Sequence, residues 1–360
     1  MEECIEQRRS YYLTNKSMDR ETIMITGAAG FIGGQLAHKL YKLDYDLILV
    51  DNMSYGHEDN LIFDDVNLNE ILYVMDIRSE EFEQLFKENK IDYIFNIAGI
   101  APLPDCQSNP YEAVDVNTNG LVKILDLARI HGVQSVVQAS TNAMYENVLN
   151  FPTKESDLNN TNKPTLIYPN TKYCAERFAE SFCDTYGMNV ACVRFANVYG
   201  PHIDCLRKQP PFVGYMIREL HYNRTPQFFS NGEQARDYIY VDDLLDLVYA
   251  ARTVEGFEAI NCSSGKSYSV KDLYAIASKI MNKNIDAEYN DSSKYWEKYP
   301  SLYEGAYSIS EEVLDHEVNK FSQCDNEKAK RLFDWEPMID IEEGLKRTIE
   351  YTEKMLEKIE

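Results

Sequence analysis

The chain has 360 residues, 44% hydrophobic and 26% charged, and a formal charge of −23 at pH 7. That length and balance describe a soluble globular protein, either one large α/β unit or a major and a minor lobe sharing a cleft. The acidic excess excludes nonspecific nucleic-acid binding, which needs clustered Lys and Arg, and it obliges any anionic ligand to be held by local cations.

In chain order, residues 1–21 form an N-terminal extension without a hydrophobic signal core, expected to make a short surface helix. No apolar run approaches the ~18 residues of a membrane span. The eight cysteines, Cys4, Cys106, Cys174, Cys183, Cys192, Cys205, Cys262 and Cys324, are scattered with no CxxC pair. The expectation is a reduced, cytoplasmic protein without metal or membrane contacts.

Six apolar runs read as strands: "TIMITG" (22–27), "LILVD" (47–51), "LYVMD" (72–76), "DYIFNIAG" (92–99), "SVVQAS" (135–140) and "VACVRF" (190–195). Continuous apolar strands imply a sheet covered on both faces, and their alternation with helices implies βαβ units in a doubly wound parallel sheet. In "GLVKILDLARIHG" the residues Leu121, Ile124, Leu125 and Ala128 share a helix face. In "CAERFAESFCDTYG" the stripe is Ala175, Phe178, Ala179, Phe182 and Tyr186, with Gly187 as C-cap. Apolar residues off these stripes pack either on the sheet or in a dimer; a homodimer is the expectation.

Beyond about residue 200 the pattern loosens. "PHIDCLRKQPPF" reads as loop, "RDYIYVDDLLDLVYAAR" as strand then helix, "EAINCSSG" as strand and "SVKDLYAIASKIM" as helix. Residues 286–320 have no strong period and read as an insertion.

"TGAAGFIGGQLAHKL" sets Gly27, Gly30 and Gly33 between the first strand and a helix bearing Ile32, Leu36 and Leu40. Gly27 permits the tight turn, Gly30 a close approach to pyrophosphate, and Gly33 close helix–strand contact; the helix N-terminus attracts the anion. Asp51 ends the second strand, where a carboxylate accepts from ribose hydroxyls; with Asn52 rather than Arg following, NAD is favoured over NADP. Asp76 and Ile77 make a plausible pair around adenine, or Asp76 is a helix N-cap acid. In "YPNTK", Tyr168 and Lys172 lie one turn apart on one helical face. A nearby ammonium and the positive nicotinamide ring favour phenolate, so Tyr168 can take a proton from a sugar hydroxyl. Thr141, at the end of the fifth strand, shares the edge of strand C-termini with them.

With these stretches in order, and with "VDNMSYG", "STNAMY", "VRFANVYGP", "NCSSGKSYSV" and "WEPMIDIEEGLKRTIEY", the chain resembles the extended short-chain dehydrogenase/reductases that act on nucleotide sugars. The resemblance runs from about residue 22 to 352. It implies a Rossmann domain at 22–200, to which 236–256 returns, and a smaller C-terminal α/β lobe over 201–360 that binds the sugar nucleotide. It implies NAD contacts at Gly27, Gly30, Phe31, Ile32, Asp51, Asn52, Asp76, Ile77, Ala98 and Asn117, the last supporting Lys172. It makes Thr141 the catalytic Ser/Thr, Tyr168 the base and Lys172 its partner, which also holds the nicotinamide ribose. Asn142, Asn197 and Arg236 fall with Thr141 on the substrate, Asn197 and Arg236 at the diphosphate. A salt bridge to Asp237 or Asp242 is the alternative for Arg236.

Sugar 4,6-dehydratases of this kind usually carry Asp-Glu after the catalytic Ser/Thr, and uronate decarboxylases keep the Glu. Here Asn142 and Ala143 stand instead. That leaves a 4-keto sugar only rotation and re-reduction, which is 4-epimerisation of a nucleotide-diphosphate sugar, by default a UDP-sugar. A 4,6-dehydratase, decarboxylase or C4 oxidase on the same scaffold, or a non-enzymatic NAD-binding protein, are the alternatives. Glu146 replaces an expected Gly after Tyr145, Asn96 replaces a His, and the basic–acidic ribose-binding pair has no clear counterpart, "LDHEVNKF" standing in its place. Cys106 is read as a buried, inert thiol, with an acid/base role in another epimerisation as the alternative.

Overall fold

A computed structural model describes residues 20–359; Cys4 and the helix expected before the first strand lie outside the described residues. The chain begins with β1 (Thr22–Thr26), α1 (Phe31–Lys42), β2 (Asp46–Asp51), a short hairpin of β3 (Ile62–Phe63) and β4 (Val66–Asn67), β5 (Leu72–Val74), α2 (Glu80–Glu88) and β6 (Tyr93–Asn96). It continues with α3 (Leu103–Ser108), α4 (Pro110–Val114), α5 (Gly120–His131), β7 (Ser135–Thr141), α6 (Ile167–Tyr186), β8 (Val190–Phe195) and β9 (Asn197–Tyr199). Then come α7 (Phe212–His221), β10 (Gln227–Phe229), β11 (Ala235–Tyr240), α8 (Val241–Ala250), β12 (Phe257–Cys262), β13 (Ser267–Ser269) and α9 (Val270–Ile280). β14 (Glu288–Asn290), α10 (Glu311–Asn319), α11 (Glu327–Phe333) and α12 (Ile341–Ile359) close the chain.

Seven strands form the central sheet in the order β12-β8-β7-β6-β1-β2-β5, every pair parallel. The apolar runs predict this, because successive strand residues point to opposite faces. Ile23 and Ile25 of β1, Leu49 of β2 and Val193 of β8 enter one core, with Leu36 of α1, Ile217 of α7 and Leu244 of α8. Met24, Ile48, Val50 and Cys192, their alternates, enter the other, with Phe82 of α2, Leu121 and Ile124 of α5, and Ala175 and Ala179 of α6. This is the expected doubly wound α/β sheet.

α5 matches the predicted stripe: Leu121, Ile124, Leu125 and Ala128 are all fully buried, and Gly132 ends the helix with φ 71°. α6 departs from its stripe. Ala175 and Ala179 are buried, but Phe178 is 46% and Tyr186 54% exposed, while Glu176 is fully buried. The inward face is rotated toward Lys172, Glu176 and Cys183, because Glu176 has an ion-pair partner inside the sheet. Gly187 caps the helix with φ 69°, as predicted.

The strand at 72–76 is shorter than its apolar run and ends at Val74, so Asp76 lies in the following turn. β11 joins β9 and β13 in a separate three-stranded sheet, and α8 packs over α1. Residues 286–320 are more ordered than their composition predicts. β14 pairs in parallel with β10, and Trp296, Tyr299, Leu302 and Leu314 close a small core around Leu166. Aromatic residues without a period made this segment look irregular; their partners lie far away in sequence.

The chain after α11 is tied back to α8 by Asp243. Its buried carboxylate accepts the Met338 N–H at 3.0 Å and the Ile339 N–H at 2.9 Å, and the Trp335 indole donates to its carbonyl at 3.0 Å. Asp243→Ala strands two backbone donors and is expected to cost about 2–4 kcal/mol. Denaturant unfolding checks this, and an unchanged midpoint would refute it.

Candidate active site

The parallel strands end on one edge. Beneath it a chain of side-chain bonds crosses three of them: the Thr26 hydroxyl donates to Asn96 Oδ1 at 2.5 Å, and Asn96 Nδ2 to Gln138 Oε1 at 2.5 Å. Asn96, the departure from the expected His, is therefore a fully used buried amide.

Gly27 follows β1 with φ +69°, and a Cβ there would stand 2.6 Å from the Ala98 nitrogen. A Cβ on Gly33 would stand 2.0 Å from the Gly27 carbonyl oxygen, so only glycine lets α1 sit this close to the turn. α1 starts after Gly30 with no side-chain cap and no acid in its first turn, which leaves its first N–H groups and positive end to an anion. Asp51 is buried and accepts the Ala29 N–H at 2.9 Å and the Met53 N–H at 2.8 Å; burial nonetheless raises its pKa. Asn52 donates to Asp76 at 3.0 Å.

Asp76 is no N-cap: Ser79 caps α2, and Asp76 pairs with Arg78 at 2.8 Å, which holds its carboxyl down to about 2. Arg78 also grips Glu112 and Asp115. The Ile77 side chain lies in the apolar core with Phe82 and Ile124. Gly27, Gly30, Phe31, Ile32, Asp51, Asn52, Asp76, Ile77 and Ala98 follow or end β1, β2, β5 and β6 on the same sheet edge, and the uncapped start of α1 with the Asp51 carboxylate fits a dinucleotide.

Thr141, Tyr168 and Lys172 converge and are all nearly buried. Thr141 caps the turn after β7 by accepting the Ala143 N–H at 3.1 Å. Lys172 Nζ donates to the Ala139 carbonyl at 2.9 Å. Burial pushes Tyr168 up to about 12, partly offset by a hydrogen bond with Thr141 and by the Arg207 guanidinium. Burial pushes Lys172 down to about 8. Asn117 accepts the Ile100 N–H at 2.8 Å and donates to the Ile100 carbonyl at 2.9 Å and to Thr171 Oγ1 at 3.0 Å. It braces the loop after β6 against the Tyr168 helix. Lys172 Nζ and Asn117 Oδ1 both flank Gly99.

A cavity of about 550 Å³ opens over this edge; Thr141, Asn142, Tyr168, Asn197, Arg207 and Arg236 all line it. Arg236 makes neither of the salt bridges considered for it. Asp237 is buried against Ser264 and the Cys324 N–H, and Asp242 faces Arg347 at 3.9 Å. Arg236 instead donates to the carbonyls of Glu317 at 2.8 Å, Val318 at 3.1 Å and Lys320, the carbonyl end of α10, where a cation is favoured. Asn197 donates to the Asp237 carbonyl at 3.1 Å. Cys106 is fully buried, with its thiol pushed up to about 12 by burial, which suits an inert thiol. Glu146 accepts the N–H groups of Thr165 and, at 3.1 Å, Leu166, so it caps the entry to α6.

The sequence model of the NAD dependent epimerase/dehydratase family matches residues 23–263. The chain belongs to this family. Among the family's curated members, the UDP-glucuronate 4-epimerase of Thermodesulfobacterium geofontis (strain OPF15) is 29% identical, the match spanning 93% of this chain and 97% of that one. The UDP-glucuronic acid decarboxylase 1 of Xenopus tropicalis is 27% identical over 94% of this chain and 74% of that one. Among solved structures, the UDP-glucose 4-epimerase of Thermotoga maritima with UDP-glucose superposes with a TM-score of 0.81 at 30% identity, covering 93% of this chain and 99% of that one. NAD is the family's cofactor.

Two site features escaped the sequence reading. Arg207 sits in a loop without period. Glu176 and Arg194 form a buried pair at 2.6 Å; a lone Arg inside the apolar strand "VACVRF" was the available signal. Tyr168→Phe keeps the packing and removes the proton acceptor. Turnover is expected to fall at least ~10²-fold, with bound NAD unchanged by absorbance; retained turnover would refute the role of Tyr168.

Proposed function

We propose that this chain is an NAD-dependent UDP-sugar 4-epimerase that works through a transient 4-keto sugar. The observation that carries the reading is that Thr141 and Tyr168 line the cavity, with Lys172 buried one turn behind Tyr168, and no acid stands at positions 142 and 143. Gly27, Gly30 and Asp51 at the strand ends would hold NAD, which when bound would supply the hydride chemistry at C4.

The chain's own groups do the proton work. Tyr168 takes the C4 hydroxyl proton, and Thr141 hydrogen-bonds the same hydroxyl. The Lys172 ammonium lowers the cost of the tyrosinate, against the burial that is the chief cause of the rise of Tyr168 to about 12. Asn142, whose amide faces Cys324 Sγ at 3.9 Å, and Ala143 have no titratable proton, so neither elimination of water nor reprotonation after loss of carbon dioxide has an acid there to assist it. Arg207 and Arg236 are the local cations for the diphosphate in an acidic protein, with the neutral amide of Asn197 beside them. The Arg236 Nη groups are held by the carbonyls at the end of α10, so Arg236 acts through its charge.

The Rossmann domain comprises 22–200. The segment that returns to its sheet is β12 (Phe257–Cys262), just beyond the expected 236–256, whose strand β11 instead joins β9 and β13. The rest of 201–360 forms most of the sugar-nucleotide lobe. The exposed Phe178 and Tyr186 of α6 and Ile130 of α5 support a homodimer. A cytoplasmic location accords with free thiols at Cys106, Cys174, Cys183, Cys192, Cys205, Cys262 and Cys324. No described helix is long and apolar enough to cross a membrane.

The test is incubation of the purified protein with UDP-glucose, UDP-glucuronate and UDP-N-acetylglucosamine, with products read by mass and NMR. The expected product has the substrate's mass and the opposite configuration at C4, without net NADH. Loss of water or carbon dioxide, or stoichiometric NADH, would instead assign a dehydratase, decarboxylase or oxidase.

A further inference from the structure

A second set of contacts joins β7 to α6, and no step of the proposed epimerisation uses it. Glu176 lies one helical turn beyond Lys172, as Lys172 lies one turn beyond Tyr168, so all three share a helix face. Glu176 is fully buried. Its Oε1 accepts the Ser140 hydroxyl at 2.7 Å and the Arg194 Nε–H at 3.0 Å, and its Oε2 accepts Arg194 Nη2 at 2.6 Å. Arg194 Nη1 goes on to the Tyr145 hydroxyl at 2.6 Å, which donates to Asn261 Oδ1 at 2.7 Å.

A buried ion pair is a poor source of net stability, because desolvation consumes most of the Coulombic gain and an apolar pair of the same shape serves a core as well. What an apolar pair cannot supply is a fixed register and a charge. The strand residues Ala139, Ser140 and Thr141 meet the helix residues Lys172, Glu176 and Tyr168 in three separate contacts. The middle one belongs to the ion pair.

We propose that Glu176, held by Arg194 and Ser140, is a positioning residue: it locks Tyr168 in register with Thr141, with its carboxylate one helical turn from Lys172. Glu176 is the carboxylate that bears on the Lys172 amine. Cys106 faces it from α3 and Cys192 from β8, both held as neutral thiols by burial. Asn117 faces it across Gly99. On α6, burial pulls the amine down to about 8 and the Glu176 carboxylate opposes that pull. Arg194 is the remaining charge of the network, and with Glu176 removed it would push the Lys172 pKa lower still.

The inference rests on the epimerase reading, and its test separates the two. kcat and KM for a UDP-sugar are measured from neutral to alkaline pH on the NAD-loaded protein and on Glu176→Gln, Glu176→Asp and Ser140→Ala. Glu176→Gln is expected to lower kcat roughly 10- to 100-fold with KM within about 2-fold, and to move the alkaline limb of the kcat profile to lower pH. Glu176→Asp keeps the charge and is expected to keep the limb while losing part of kcat. Ser140→Ala is expected to lose kcat a few-fold, roughly, with the limb unmoved.

Wild-type kcat in Glu176→Gln, or a fall in kcat with an unmoved limb, would overturn the proposal. Should Glu176→Gln fail to fold, wild-type kcat in both other variants overturns it. Amide hydrogen exchange over residues 136–145 reads the register without turnover. Faster exchange confined to that segment in the Glu176 variants is expected, and unchanged exchange contradicts it. A wild-type protein inactive on every UDP-sugar refutes the epimerase assignment and leaves the exchange result to judge the register.

Discussion

The C-terminal end of β7 lies against the first turns of α6, and the rest of the site depends on that contact. Lys172 is anchored on the Ala139 carbonyl, Ser140 on Glu176, and Thr141 faces Tyr168. Each rung joins one strand residue to one helix residue, and the helix residues are one turn apart. A slip of the helix by a single residue would rotate Tyr168 about 100° from the cavity. The β7 strand is itself held rigidly, buried along its whole length between β6 and β8. α6 is held from above by Glu146 at its entry and by Asn117 through Thr171.

The same burial that gives precision sets an electrostatic problem. In a dry site the neutral forms of both Tyr168 and Lys172 are favoured, which is why one pKa rises and the other falls. Proton transfer needs the charged pair, and it is easiest where nearby charges and dipoles are already oriented. Arg207, the hydroxyl of Thr141 and the carboxylate of Glu176 are such groups, fixed before substrate arrives. The global charge of −23 opposes an anionic nucleotide sugar, so the cations that line the cavity, Arg207, Arg236 and Lys320 among them, must act at close range, where screening is weakest.

Several replacements that look like losses in the sequence are compensated locally. Glu146, where a glycine was expected, gives α6 the N-terminal acceptor that Leu166 at the cap cannot supply. Asn96 continues a hydrogen-bond chain between Thr26 and Gln138. The segment 286–320 builds a wall of the cavity with Tyr295 and Trp296 and stacks Tyr295 on Phe229 edge to face. The "LDHEVNKF" stretch contributes a partly buried Glu317–Lys320 pair at 2.6 Å beside Arg236.

The sequence by itself determined the parallel sheet, the glycine turn, the helices α5 and α6 and the Tyr168–Lys172 spacing, because these follow from periodicity and from residues adjacent in the chain. It also determined, through Asn142 and Ala143, which acids are absent. Only the tertiary structure decided which face of α6 turns inward, where Arg236 spends its donors, that the Ile77 side chain belongs to the core, and that 286–320 is a folded wall. Each of these is settled by a partner far away in sequence: Arg194 draws Glu176 inward against its helical pattern, the end of α10 claims Arg236, and β10 pairs β14. Local pattern records how much apolar surface an element must bury, whereas the partner that satisfies a buried charge is chosen only when the chain closes on itself.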